Sequence, residues 1–296
     1  MKKSYECLNS SLVFSLNSLG IIINPSDLYI IGEGYDFCYS SNYLGANQKK
    51  NSYLALNRLD IYFNEFRVSK SNFKNFISYM STKSTYSLII KVSSIIICCY
   101  SNIKKISDNT HYINIVGISE DKKKIFIHDG FIPDLQHSTF VGWIDIEVLF
   151  SNSSEILTGL LISKPSHKID VNKLTVEMFP KVISKLVKNP LTIKHLKNYL
   201  EINSLTNLNY DLRFYGFIAS RKFIRDYYAT LYYKEFYIDK ADEIIKAWDA
   251  FCLFILKMSI RDNKNLSLIL SKYTPVLEKE SKLLNKIYNI SKGSEG

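Results

Sequence analysis

The chain is poor in residues that break regular structure and in those that staple a small fold. It has 11 glycines and six prolines in 296 residues, with 46% hydrophobic and 22% charged residues. That balance excludes a disordered or collagen-like chain, and the apolar content suffices for one large core or two modest ones. The five cysteines, at 7, 38, 98, 99 and 252, are odd in number and form no Cys-x-x-Cys. Neither a disulfide framework nor a zinc ribbon is indicated, and free thiols point to a reducing cytoplasm.

Long apolar runs are also missing. Met1-Lys-Lys looks like the start of a signal peptide, but Asn9, Ser10, Ser11, Ser15 and Asn17 interrupt the apolar stretch behind it, and no small-residue cleavage site follows. Leu88 to Tyr100 carries Lys91, Ser93 and Ser94 and is too short for a bilayer. The expectation is a cytoplasmic protein without a membrane segment. Acidic residues are the minority, leaving a formal charge of +10. The lysines are scattered or in short groups such as Lys122–Lys124, and no motif has groove-entering geometry, so nucleic acid is not the expected partner. A solvated basic surface and an acidic protein partner are the remaining readings.

Leu8, Leu12, Leu16 and Leu19 recur at helical spacing, and Gly20 stands where such a helix would stop. Cys7 then falls at the helix start. Residues 25–31 read as a short helix leading into a glycine turn, and residues 86–99, 111–118 and 124–128 read as strands. From about Val171 the pattern is helical: 176–186, 191–200, 212–233, 241–260 and 266–290. The expected class is α+β, with a mixed domain over 1–160 and an α-helical domain over 161–296.

A cysteine at a helix start, a strand beginning at His111 and a strand ending at Asp129 follow the chain order of a papain-type nucleophile. The helix start stabilises thiolate, and the backbone N–H groups of Cys7 and Leu8 are candidate oxyanion donors. A hairpin register in which His111 faces Asp129 centres the turn on Glu120, within the polar stretch Ser119-Glu120-Asp121. Asp129 would then orient His111, which moves the proton. His128, His137, His167 and His195 are the competing histidines. No Cys/His spacing insists on a metal, so none is expected.

Gly32, Glu33, Gly34, Tyr35 and Asp36 make a poor phosphate loop, because no Lys-Ser/Thr follows and Glu33 repels phosphate. They read as a tight turn or as a wall of the site around Cys7, with Glu33 or Asp36 attracting a cationic group. Cys98 and Cys99 read as small core residues. Tyr227, Tyr228, Tyr232, Tyr233 and Phe236 read as helix packing.

The stretches His111-Tyr-Ile-Asn-Ile-Val-Gly and Ile-Phe-Ile-His-Asp129-Gly look like the His and Asp strands of papain-like peptidases that cleave bacteriocin leaders. Those usually carry a glutamine shortly before the cysteine, and none precedes Cys7. The chain more closely resembles the butirosin-biosynthesis-protein-H-like family. The matching residues are the Cys7-Leu-Asn-Ser-Ser-Leu start, the stretch Ile31 to Tyr39, and the helical segments Arg221 to Tyr228 and Ala247 to Phe254. That resemblance implies a papain-like acyltransferase, or amide synthase. It would take an acyl chain from an acyl or peptidyl carrier protein through a Cys7 acyl-enzyme and pass it to a small amine in natural-product biosynthesis. No cofactor is implied, since the phosphopantetheine arm belongs to the carrier. A cysteine peptidase or amidase with water as acceptor is the first alternative; a non-catalytic binding or immunity protein is the second.

Overall fold

The computed structural model describes residues 6–291 apart from 35–36, 40–43, 105, 107, 134–137, 215–216, 233–234 and 263. In chain order, α1 (Cys7–Ser18) and α2 (Pro25–Ile31) precede the antiparallel pair β1 (Phe37–Tyr39) and β2 (Leu44–Ala46), then α3 (Gln48–Arg58). Next come β3 (Phe63–Ser69), α4 (Lys70–Ser81), β4 (Tyr86–Ser93) and a 3-10 helix (Ser94–Cys99). They are followed by β5 (Thr110–Ile118), β6 (Lys124–Asp129), β7 (Phe140–Asp145), α5 (Ile146–Ser151) and β8 (Ile156–Ser163). The remainder is helical: α6 (Val171–Lys188), α7 (Ile193–Ile202), α8 (Leu205–Phe214), α9 (Phe217–Tyr232), α10 (Glu235–Ile260) and α11 (Leu266–Ser291). Among the described residues no helix is long and apolar enough to cross a membrane.

The chain is thus mixed α and β, and it divides into two compact units. One comprises Met1–Leu28 with Ala55–Val171, the other Tyr29–Leu54 with Asn172–Gly296. A cut at residue 160 falls inside β8, which pairs with β3 on one side and β4 on the other. Residues 29–54 cluster with the helical unit although they precede the sheet in sequence. Neither result follows from local pattern, because both depend on long-range pairing.

The first unit is built on a six-stranded antiparallel sheet in the order β3-β8-β4-β5-β6-β7. Alternation along the strands separates its faces. Leu88, Ile90, Val92, Ile113, Ile115, Ile125 and Ile127 pack with Phe73 and Ile77 of α4. The opposite face carries α1, held by buried polar groups. Ser11 Oγ donates to the Tyr112 carbonyl (3.0 Å), and Asn114 Nδ2 donates to the Ser11 carbonyl (3.0 Å) and to Ser15 Oγ (2.8 Å). Ser87 Oγ also donates to Ser15 Oγ (2.9 Å). The serines that interrupt the apolar pattern of α1 are therefore its ties to the sheet.

The strand expected over 86–99 ends at Ser93. Ser93 Oγ accepts the Ile95 N–H (3.1 Å) and Ser94 Oγ accepts the Asn109 N–H (3.0 Å). The first, a local bond, diverts the backbone from the sheet ladder into the 3-10 turn. Cys98 and Cys99 consequently leave the core: Cys98 is half-buried and Cys99 exposed.

In the second unit, Trp248, Tyr199, Tyr273, Phe179 and Phe217 are fully buried at the centre of one helical cluster. Tyr227 and Tyr228 belong to the same cluster; the side chains of Tyr232, Tyr233 and Phe236 lie outside the described residues. The single helix expected over 212–233 is two, α8 and α9. Arg221 and Glu280 form an almost buried ion pair at 2.6 Å. The helical segments that carry the family resemblance thus contribute core positions.

Candidate active site

α1 starts at Cys7 because Glu6 is extended (φ −147°, ψ 139°) and makes no side-chain cap bond. The first helical bond runs from the Ser10 N–H to the Glu6 carbonyl at 3.0 Å. The N–H groups of Cys7 and Leu8 lie ahead of that ladder, at the positive end of the helix. The Cys7 side chain is half-buried.

His111 is the second residue of β5 and Asp129 the last of β6. Both are buried, Asp129 completely. His111 Nε2 meets Asp129 Oδ2 at 2.8 Å. Cys7 lies close enough to His111 to favour its charged form. Burial by itself pushes the imidazole pKa down; the charge and hydrogen bond of Asp129, then Cys7, outweigh it and raise His111 to about 10. His111 is therefore an imidazolium at neutral pH.

The hairpin register differs from the expected one. Asn114 pairs with His128, which sets Asp129 diagonal to His111 and not opposite it. The turn lies beyond Glu120: the Ser119 N–H bonds the Lys124 carbonyl (2.9 Å), and Lys122 takes a left-handed φ of 55°. Ser119 Oγ bonds Asp121 and the Lys124 N–H, stabilising this longer turn. A bulge at Val116 shifts the register once more. Diagonal neighbours still share a sheet face, and a histidine is long enough to span the offset.

Asp129 has two further donors. Tyr100 Oη donates to Oδ2 at 2.7 Å and the Phe131 N–H donates to Oδ1 at 3.1 Å. Tyr100 stacks on Phe140 with ring centroids 4.5 Å apart. Sequence reasoning missed Tyr100, which lies 29 positions from Asp129 with no motif linking them. It also missed Gly130. A Cβ there would stand 1.9 Å from Ser10 Oγ, so this glycine lets the end of β6 lie directly against the first turns of α1.

Glu6 is a third unforeseen residue. Burial pushes its carboxyl pKa up from 4.5 to about 8, so the group preceding Cys7 is neutral at pH 7. The native protein holds this proton to about pH 8, whereas the unfolded chain releases it near 4.5. Unfolding therefore sheds a proton within that window, and stability falls by about 1.4 kcal/mol per pH unit. Glu6→Gln should be more stable than the parent by several kcal/mol at pH 8, with the gap closing towards pH 4.5. Urea denaturation of both proteins across that range measures it, and a gap that does not change with pH would exclude a buried, proton-holding Glu6.

The competing histidines are otherwise engaged. His128 lies on the α1 face, stacked on Phe14 with centroids 4.0 Å apart, and burial lowers its pKa. His195 caps α7, and His167 is 3.9 Å from Asp60 on the surface. His137 lies outside the described residues. Among the described residues no group of three or more His, Cys, Asp and Glu could hold a metal.

Gly32, Glu33 and Gly34 belong to the helical unit; Tyr35 and Asp36 lie outside the described residues. The left-handed position of this turn falls on Glu33 (φ 51°). Glu33 forms an ion pair with Lys185, and the Tyr29 hydroxyl donates to the Gly34 carbonyl. A Cβ on Gly34 would meet the Tyr29 ring at 2.2 Å. Comparison with protein-family models and with curated proteins finds no match for this chain.

Proposed function

We propose that this chain is a cysteine-dependent acyltransferase of papain-like type that forms amides from a carrier-bound thioester. The observation that carries the proposal is the buried His111–Asp129 pair with a helix-start cysteine beside it. The motif resemblance to the butirosin-biosynthesis-protein-H-like family supports the choice of thioester and amine.

In the first step the Cys7 thiolate attacks the thioester carbonyl, and the N–H groups of Cys7 and Leu8 receive the oxyanion. The C–S bond to the donor breaks, His111 gives its proton to the departing thiolate, and Cys7 is left acylated. In the second step an amine attacks the new thioester and the now neutral His111 takes its proton. The amide leaves, and the thiolate–imidazolium pair is restored beside Asp129. A thioester is already activated, so the sequence of steps balances without ATP. An acyl or peptidyl carrier protein in the cytoplasm is the proposed donor and a small amine the acceptor.

Intact-protein mass spectrometry after mixing with a simple acyl thioester tests this. An adduct of one acyl group should form on the parent and not on Cys7→Ala, and added amine should discharge it as amide. Release of free acid alone at high amine concentration would make the protein a hydrolase. Equal labelling of Cys7→Ala would remove Cys7 as the nucleophile.

A further inference from the structure

The edge of a sheet is where another strand can pair, and the two edges of the first unit's sheet differ in kind. β3, at one edge, exposes Asn64, Glu65 and Arg67, and charged side chains of this sort discourage pairing. β7, at the other edge, exposes Val141 (57%) and Trp143 (51%), and its only charged residue is Asp145 at the strand end. β7 has no proline, and its register with β6 is unbroken. Trp143 stands edge-on to Phe126 of β6, with ring centroids 5.2 Å apart, so the apolar surface continues inward from the edge.

The ladder shows which groups β7 turns outward. The Ile146 N–H bonds the Lys123 carbonyl at 2.8 Å, in the same register that sets Asp145 against Lys124. Bonded and non-bonded pairs alternate between antiparallel strands. Ile144, Gly142 and Phe140 therefore bond β6, and the N–H and C=O groups of Val141 and Trp143 point away from the sheet. Among the described residues these outward groups meet no other backbone partner.

Only an extended strand supplies donors and acceptors at that spacing, and β7 matches itself. In an antiparallel two-fold pairing centred on Gly142, Val141 lies opposite the partner's Trp143, and Trp143 opposite the partner's Val141. The outward groups of both residues are then satisfied in both copies. Phe140 falls opposite the partner's Ile144 and Asp145 opposite the partner's Thr139, so no like charges are opposed. At the axis glycine meets glycine, with no side chain to hold the backbones apart. A two-fold interface requires this kind of self-complementarity.

We propose that β7 is the interface of a homodimer, pairing with the β7 of a second copy about a two-fold axis at Gly142. The sheet then runs on from one copy into the other. This inference does not rest on the acyl-transfer reading. Each copy contributes two exposed large apolar side chains and one strand edge, which places the contact among small, reversible interfaces.

Sedimentation equilibrium of the full chain over a concentration series tests this. The average mass should rise from 34.3 kDa towards twice that value. Salt should strengthen the association, because it screens the repulsion between two chains of formal charge +10. Val141→Pro deletes an outward N–H and spares the bonds to β6, so it should remain monomeric with its circular dichroism spectrum unchanged. Trp143→Thr keeps every backbone group and should weaken the dimer by about tenfold or more. Fluorescence supplies a second readout, since the other tryptophan, Trp248, is fully buried. The emission should shift to the blue as the parent associates, and not in Val141→Pro. A mass that stays at 34.3 kDa up to about 1 mM protein would overturn the proposal. So would a dimer that persists in Val141→Pro, or one that forms without a change in emission.

Discussion

His111→Ala is expected to slow iodoacetamide labelling of Cys7 by up to about thirtyfold at pH 7. An ordinary cysteine is roughly 3% ionised at that pH, whereas an imidazolium in hydrogen-bonding reach favours the reactive thiolate. The imidazolium persists because Asp129 raises His111 to about 10 despite burial. Tyr100→Phe keeps the stack on Phe140 but removes one donor from Asp129 Oδ2. The carboxylate then anchors His111 less firmly, so Cys7 labelling at pH 7 should slow. A Tyr100 that only packed would cost stability and leave the labelling rate in place. Exposed Cys99 is the internal reference, and buried Cys252, whose thiol burial pushes up to about 12, should label slowest. Equal Cys7 labelling rates for the parent and His111→Ala would end the triad reading.

Gly130→Ala should destabilise the fold by about 1–3 kcal/mol and slow Cys7 labelling as well. The new methyl group would lie 1.9 Å from Ser10 Oγ. Rotating that hydroxyl away does not clear the site, because Ser10 Cβ remains at 3.2 Å and His128 Cε1 at 3.0 Å. The neighbour that must yield is the start of α1, which carries Cys7. Ser10→Gly removes the obstructing atoms and should restore labelling in the double variant, at the usual helix cost of a glycine, about 1 kcal/mol. Ser10→Ala should restore it only in part, since its Cβ stays. Urea midpoints and labelling rates for the four proteins of the Ser10/Gly130 cycle measure the coupling. An additive cycle would mean that this contact does not set the position of Cys7.

Much of the local structure can be read from the chain itself. The leucine spacing after Cys7 marks α1, and the β-branched runs mark β5 and β6. The polar stretch Ser119 to Asp121 marks the hairpin between them. The helical second half follows from its period and its lack of strand pattern. Strands β3, β7 and β8 were not legible. Their residues alternate too weakly to declare a face, and each is a strand only because a partner strand supplies its hydrogen bonds.

The amino-acid sequence alone determined which residues could react: a cysteine placed at a helix start, a histidine opening one strand and an aspartate closing the next. Tertiary structure alone decided how they are held. The bulge at Val116 and the left-handed Lys122 offset the hairpin, Tyr100 arrived at Asp129 from a separate turn, burial left Glu6 neutral, and Asp129 kept His111 charged against burial. These depend on distances between residues far apart in the chain and on the removal of water, and local spacing encodes neither.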